Sequence, residues 1–152
     1  MQLESIFSTA GAIAMSGWLL LIFFPRNKVA RLISGSVLPI ALSIFYLILI
    51  ASNIRDAEGG FGSLADVTKL FQKPELLLAG WIHYLAFDLF IGAWEVRDAQ
   101  RNQIPHLVVL PCLVMTFMLG PVGLLFYFAI RTAKTRSLSL SRHSVSGGGE
   151  GA

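Results

Sequence analysis

Hydrophobic residues along this chain gather into four long blocks separated by short polar breaks. The blocks run from about Ser5 to Phe24, Leu32 to Ile54, Leu76 to Trp94 and Leu107 to Ile130. Each holds roughly 19 to 24 residues, against the ~20 that a helix needs to cross the hydrocarbon core of a bilayer. The pattern predicts an all-α integral membrane protein. It would be a four-transmembrane-helix bundle over residues 1–136, with a longer loop between helices 2 and 3 and a disordered polar tail over 137–152. Pro39, Pro111 and Pro121 fall inside the blocks, where neighbouring helices can satisfy the freed backbone groups. Pro121, between Gly120 and Gly123, predicts a kink or a close helix contact in the fourth block.

The breaks carry their own signals. Pro25-Arg26-Asn27-Lys28 ends the first block. The segment from Arg55 to Glu75 opens on a Gly-rich turn. Ser63 and Asp66 then resemble a capping box, and Leu64, Val67, Leu70 and Phe71 follow at helical spacing, which predicts a short amphipathic helix on the membrane surface. The loop from Glu95 to Pro105 is charged and short, and Glu95 in it is expected to be solvated. Four crossings would put both termini on one side. On that arrangement Arg26, Lys28, Arg31, Arg97 and Arg101 oppose Arg55, Lys69, Lys73, Arg131, Lys134, Arg136 and Arg142. The two sets nearly balance, with a weak lean towards cytoplasmic termini.

Composition agrees with a membrane protein: 55% of the 152 residues are hydrophobic and 14% charged, too little polar surface for a soluble domain of this size. The net charge of +3 sits in loops and tail, with no basic stripe interleaved with aromatics, so no nucleic-acid partner is expected. The single cysteine, Cys112, lies in an apolar run and reads as a small packing residue. MQLES carries Glu4 and no basic residue, unlike the start of a cleaved signal peptide. No phosphate-binding, dinucleotide-binding, metal-binding or nucleophile motif is present, and neither metal nor cofactor is expected.

The third block holds the candidate chemistry, because it is long enough to span a bilayer yet carries His83 and Asp88 near its middle. An Asp at the centre of a membrane helix costs about 3 kcal/mol on insertion scales, so it is buried against a partner or used. Trp81, Tyr84, Asp88, Ile91 and Glu95 form one stripe. His83 lies about 140° away from Asp88 around the helix, on a face with Phe87, Phe90 and Trp94. For Asp88 two readings stand: a structural carboxylate held by Arg26, Arg31, Arg97, Tyr or Ser, or a proton donor or acceptor. His83 is a general acid or base, a haem ligand, or an interhelical hydrogen-bonding group. His106, at a block edge, is awkwardly placed to share a haem with it. Trp81, Tyr84 and Phe87 would suit a flat polyene ligand.

Trp81-Ile82-His83, Asp88-Leu89-Phe90, Asn102-Gln103-Ile104 and Pro121-Val122-Gly123, with the Pro-Arg-Asn-Lys break, resemble the abscisic-acid-deficient-four-like membrane family. That family is named for the plant protein needed for neoxanthin synthesis. The resemblance covers nearly the whole chain through Lys134. It implies carotenoid or isoprenoid metabolism: in plants, the conversion of violaxanthin to neoxanthin, a redox-neutral epoxide rearrangement. An acid near the epoxide oxygen and a base near the departing proton suffice for it. His83 and Asp88 match the family motif and are the expected catalytic pair, lining one polar pocket, with Trp81, Tyr84 and Phe87 contacting substrate. The sequence carries no plastid-targeting extension, so a bacterial inner or photosynthetic membrane is the expected location. Expected partners are membrane lipid, a carotenoid or other hydrophobic small molecule, and a protein of a pigment or biosynthetic complex. Two other functions stay open: a noncatalytic pigment- or lipid-binding subunit, and a haem or quinone electron-transfer protein.

Overall fold

The computed structural model describes residues 3–138, and their regular structure is entirely helical. The order is α1 (Leu3–Phe23), α2 (Lys28–Leu32), a π turn (Ile33–Val37), α3 (Leu38–Asn53), α4 (Leu64–Gln72), α5 (Pro74–Arg101), α6 (His106–Leu119) and α7 (Pro121–Thr135). The α2–π–α3 run is one continuous helix, Lys28–Asn53. It, α1 and α5 are the three helices long and apolar enough to cross a membrane. The tail expected over 137–152 lies outside the described residues from position 139 onward.

Local chemistry explains the boundaries. Asn27 caps α2, its side-chain oxygen accepting from the amides of Val29 and Ala30 at 2.8 and 3.1 Å. The π turn precedes Pro39, whose ring disfavours an ordinary helical contact with the carbonyl four residues back. The wider turn, with the Leu38 amide donating to Ile33, accommodates it. Ser63 caps α4 as expected, accepting from the Asp66 amide at 3.1 Å. Lys73, extended ahead of Pro74, separates α4 from α5 and donates to the Asn53 carbonyl at 3.0 Å, closing the end of α3.

Helix α5 is the hub, packing against α1, the π turn, α3, α4, α6 and α7 and meeting α2 through the Gln100–Arg31 hydrogen bond. At about 1.5 Å per residue its 28 residues extend about 42 Å. Residues 95–101, expected in a loop, are its last two turns. Small residues let its neighbours approach: Gly17 of α1 lies against Leu89, Gly92 accepts the ring edge of Trp18, and Gly35 of the π turn lies against Ala93 and Arg97.

The fourth apolar block does not form one helix. It divides at Gly120 into α6, of 14 residues, and α7, of 15. Each is about 21–23 Å long, short of the ~30 Å hydrocarbon core. Contacts show the direction of each. The ring of His106, at the start of α6, meets the Ile22 carbonyl near the end of α1. Thr116 reaches Glu95, and Gly120 lies at Asp88, near the midpoint of α5. From there α7 turns back: Tyr127 and Arg131 bond Asp98, near the end of α5. Helices α6 and α7 are thus a hairpin whose two open ends both lie towards the C-terminal end of α5. Gly120 has φ +48°, and the following proline disfavours continued helix. Gly123 then seats directly on the backbone and side chain of Thr116, so the two helices close tightly.

The hairpin revises the arrangement of termini. The start of α1 lies beside Pro74 and Leu77, whereas α7 ends beside the opposite end of α5. The two chain ends described here therefore lie at opposite ends of the bundle, not at one. Arg131, Lys134 and Arg136 join Arg26, Lys28, Arg31, Arg97 and Arg101, leaving Arg55, Lys69 and Lys73 at the far end.

Candidate functional site

The hairpin covers a stripe of carboxyls on α5. Asp88, Glu95 and Asp98 fall within about 60–80° of one another around the helix at ~100° per residue, and all three are buried, at 7%, 0% and 6% exposure. Glu95, expected in solvent, is wholly enclosed because α6 lies over it. Their surroundings differ. Asp98 Oδ2 accepts from Tyr127 Oη and Arg131 Nε, both at 2.7 Å, and from Asn102 Nδ2 at 3.0 Å. Arg131–Asp98 is the ion pair of the described residues. Glu95 Oε1 accepts from Thr116 Oγ1 at 3.0 Å, while its Oε2 is buried without a partner. Asp88 Oδ2 is likewise buried and unpartnered. Its Oδ1 lies 3.0 Å from where a Cβ at Gly120 would stand, so the hinge glycine leaves the space that this carboxyl occupies.

The three carboxyls therefore differ in how fully they are partnered. Asp98 is paired with Arg131 and takes three donors on Oδ2. Asp88 has unmet hydrogen-bonding capacity at mid-depth, which suits exchange of a proton with a bound molecule. None of Arg26, Arg31 or Arg97 holds Asp88: Arg31 and Arg97 line a cleft with Arg101, and Arg26 lies in a second cleft at the same end of the bundle. The Tyr84 hydroxyl lies within hydrogen-bonding reach of the Asp88 carboxyl and also donates to the Phe117 carbonyl at 2.9 Å, so of the expected partners Tyr84 is the one beside it.

The expected pair is not brought together. His83 is exposed on the outer side of α5, stacked on Phe87 at 4.5 Å between ring centroids and 5.6 Å from Tyr46 of α3. One polar pocket lined by His83 and Asp88 does not exist here, because the five-residue step turns them to different faces. The expected substrate contacts divide in the same way. Trp81, 41% exposed, lies 5.4 Å from Tyr84 and stacks on Phe7 of α1 at 5.5 Å. Phe87, 54% exposed, lines an apolar groove of about 260 Å³ against Pro39, Ile40 and Ser43. Trp81 and Phe7 line another, of about 390 Å³. His83 and His106 lie in different halves of the bundle and do not face one another. Among the described residues no group of three or more His, Cys, Asp or Glu side chains is placed to hold a metal ion.

The family model described as ABA DEFICIENT 4-like matches residues 5–127. The chain belongs to this ABA4-like family. No curated protein and no solved structure matches it. The matched segment contains the whole carboxyl stripe, the hinge at Gly120 and Tyr127, and ends before Arg131.

In this ABA4-like protein, Glu95 and Asp98 are the polar residues that sequence reasoning passed over. A signal for them existed. Asp88, Glu95 and Asp98 recur at steps of seven and three, which keeps them on one helical face. The apolar block by itself ends at Trp94, which puts Glu95 at the interface, whereas α5 continues to Arg101 and is covered by the hairpin.

Proposed function

We propose that this protein is a multi-pass membrane isomerase of carotenoid or isoprenoid metabolism, acting on an epoxycarotenoid-like lipid without net redox change. Family membership and the apolar helices support the metabolic setting. The observation that carries the enzyme reading is the Asp88 carboxyl, buried with an unpartnered oxygen beneath the Gly120 hinge. In the proposed step, protonated Asp88 gives its proton to the epoxide oxygen as one C–O bond breaks. A neighbouring C–H then loses its proton to the resulting carboxylate, and its electron pair forms the new C=C bond. The alcohol product is an isomer of the substrate and Asp88 is regenerated. One carboxyl serves as acid and then base, which removes the need for His83. The exposed rings of Trp81, Phe7 and Phe87 offer the polyene flat apolar surface.

The chain would cross the membrane three times and enter it once more as the α6–α7 hairpin. The basic end of the bundle faces the cytoplasm by the positive-inside rule, in a bacterial inner or photosynthetic membrane. A second reading, a pigment- or lipid-binding subunit that docks on a biosynthetic or pigment protein, is favoured by the two lipid-facing aromatic grooves. The test is turnover of a supplied epoxycarotenoid by purified Asp88→Asn beside wild type. Loss of conversion with normal accumulation supports the enzyme. Conversion by Asp88→Asn refutes it, and bound polyene without turnover by wild type favours the binding subunit.

A further inference from the structure

At the end of the bundle opposite Pro74, three arginines converge on one cleft. Arg97 and Arg101 stand one turn apart on α5, and Arg31 faces them from the last turn of α2. With Gln100 they line a space of about 320 Å³, and no carboxylate is among its described lining residues. Like charges four residues apart on a helix repel, so this grouping is not explained by helix stability.

The cleft is built, not merely crowded. Gln100 fixes Arg31 from behind: its Oε1 accepts from Arg31 Nη1 at 2.7 Å, and its Nε2 donates to the Pro25 carbonyl at 2.6 Å. The other partners of Arg31 are neutral too, the carbonyls of Pro25 and Arg26 at 3.4 and 3.5 Å. Arg97 lies over the π turn, its Nη1 3.3 Å from where a Cβ at Gly35 would stand. The missing side chain at Gly35 gives the guanidinium its seat. Both Arg31 and Arg97 are half-buried, and among the described residues neither is paired with a carboxylate.

We infer that the cleft formed by Arg31, Arg97, Gln100 and Arg101 binds a phosphate group, that of an anionic lipid headgroup at the membrane face. Guanidinium forks match phosphate oxygens in geometry and charge, and basic clefts between membrane helices hold anionic headgroups. The site stands at the end of spanning helices, where headgroups lie, and is independent of the reading given to Asp88.

The test uses the full chain in neutral detergent, incubated with mixed micelles of phosphatidylglycerol and phosphatidylcholine and read by native mass spectrometry. Wild type should retain phosphatidylglycerol over phosphatidylcholine. Arg97→Gln should retain it roughly tenfold less, the loss of a charge-assisted contact, and Arg97→Lys should fall between. Lys69→Gln, at the other end of the bundle, should match wild type. Inorganic phosphate in excess should leave the lipid bound. If it displaces the lipid, phosphate recognition stands but the headgroup assignment falls. Equal retention of both lipids by wild type overturns the proposal, and so does equal retention of phosphatidylglycerol by Arg97→Gln and Lys69→Gln. Should Arg97→Gln not accumulate, the wild-type preference and Arg97→Lys decide.

Discussion

The two halves of α5 live in different surroundings. From Pro74 to Phe87 it packs with α1, α3 and α4 around a small apolar core that includes Ala10, Ala14, Leu42, Ile82 and Ala86. Trp81, His83 and Phe87 face outward there, with Leu77. From Asp88 to Arg101 it is also enclosed by the hairpin, around a second core that includes Trp18, Leu89, Val96, Cys112, Leu113 and Tyr127. This half holds all three buried carboxyls. The hairpin thus divides one helix into an outward-facing aromatic part and an enclosed polar part, with Asp88 and Gly120 at the boundary. The lesson is that a carboxyl in the apolar layer becomes tolerable where extra helices replace lipid with donors such as Thr116, Tyr127 and Arg131.

The sharpest way to break this comparison is topological. Single cysteines at Ser5 and Lys134, in a Cys112→Ala background, should be labelled by an impermeant thiol reagent from opposite faces of sealed membranes. Labelling of both from one face would mean that the fourth block crosses, and the enclosed half would not exist as described.

Next in size is the Asp98–Arg131 pair. Removing one partner of a buried pair costs about 3–5 kcal/mol, so Arg131→Met should strongly destabilise the protein in detergent thermal unfolding. Asp98→Leu combined with Arg131→Met should recover much of the loss, because no lone charge then remains. A wild-type melting curve for Arg131→Met would show that the pair does not hold the hairpin.

The hinge should follow. Gly120→Ala imposes a side chain at positive φ and against Asp88, and backbone strain of this kind costs about 1–3 kcal/mol. Epoxycarotenoid conversion should fall more than the fraction of folded protein, since the Cβ displaces the Asp88 carboxyl. Equal falls in both would separate the hinge from the chemistry.

The smallest effect should come from the open half. His83→Gln alters an exposed ring stacked on Phe87, so stability should change by no more than about 0.5 kcal/mol and conversion should persist. Loss of conversion by a folded His83→Gln would return His83 to the chemistry and undo the division of α5 into two functional parts.

Much of this was legible in the residue order. The apolar blocks, their lengths and their Pro- and Gly-marked breaks determined an all-helical membrane protein, because backbone groups in hydrocarbon must bond within a helix. Ser63 and Asp66 announced α4, and Trp81-Ile82-His83 with Asp88 announced the family. Asp88 stood out by itself, since a carboxyl in an apolar block is costly wherever it lies. Tertiary structure decided the rest. Block length cannot distinguish one crossing from a hairpin, because the decision rests on Gly120 at positive φ and on Gly123 finding Thr116. Helical periodicity put Glu95 and Asp98 beside Asp88 in angle, but only the hairpin's return determined that they are buried. It also decided that His83, with the same sequence prominence as Asp88, lies exposed on the outside of the bundle: which side of a helix is covered depends on partners distant in the chain.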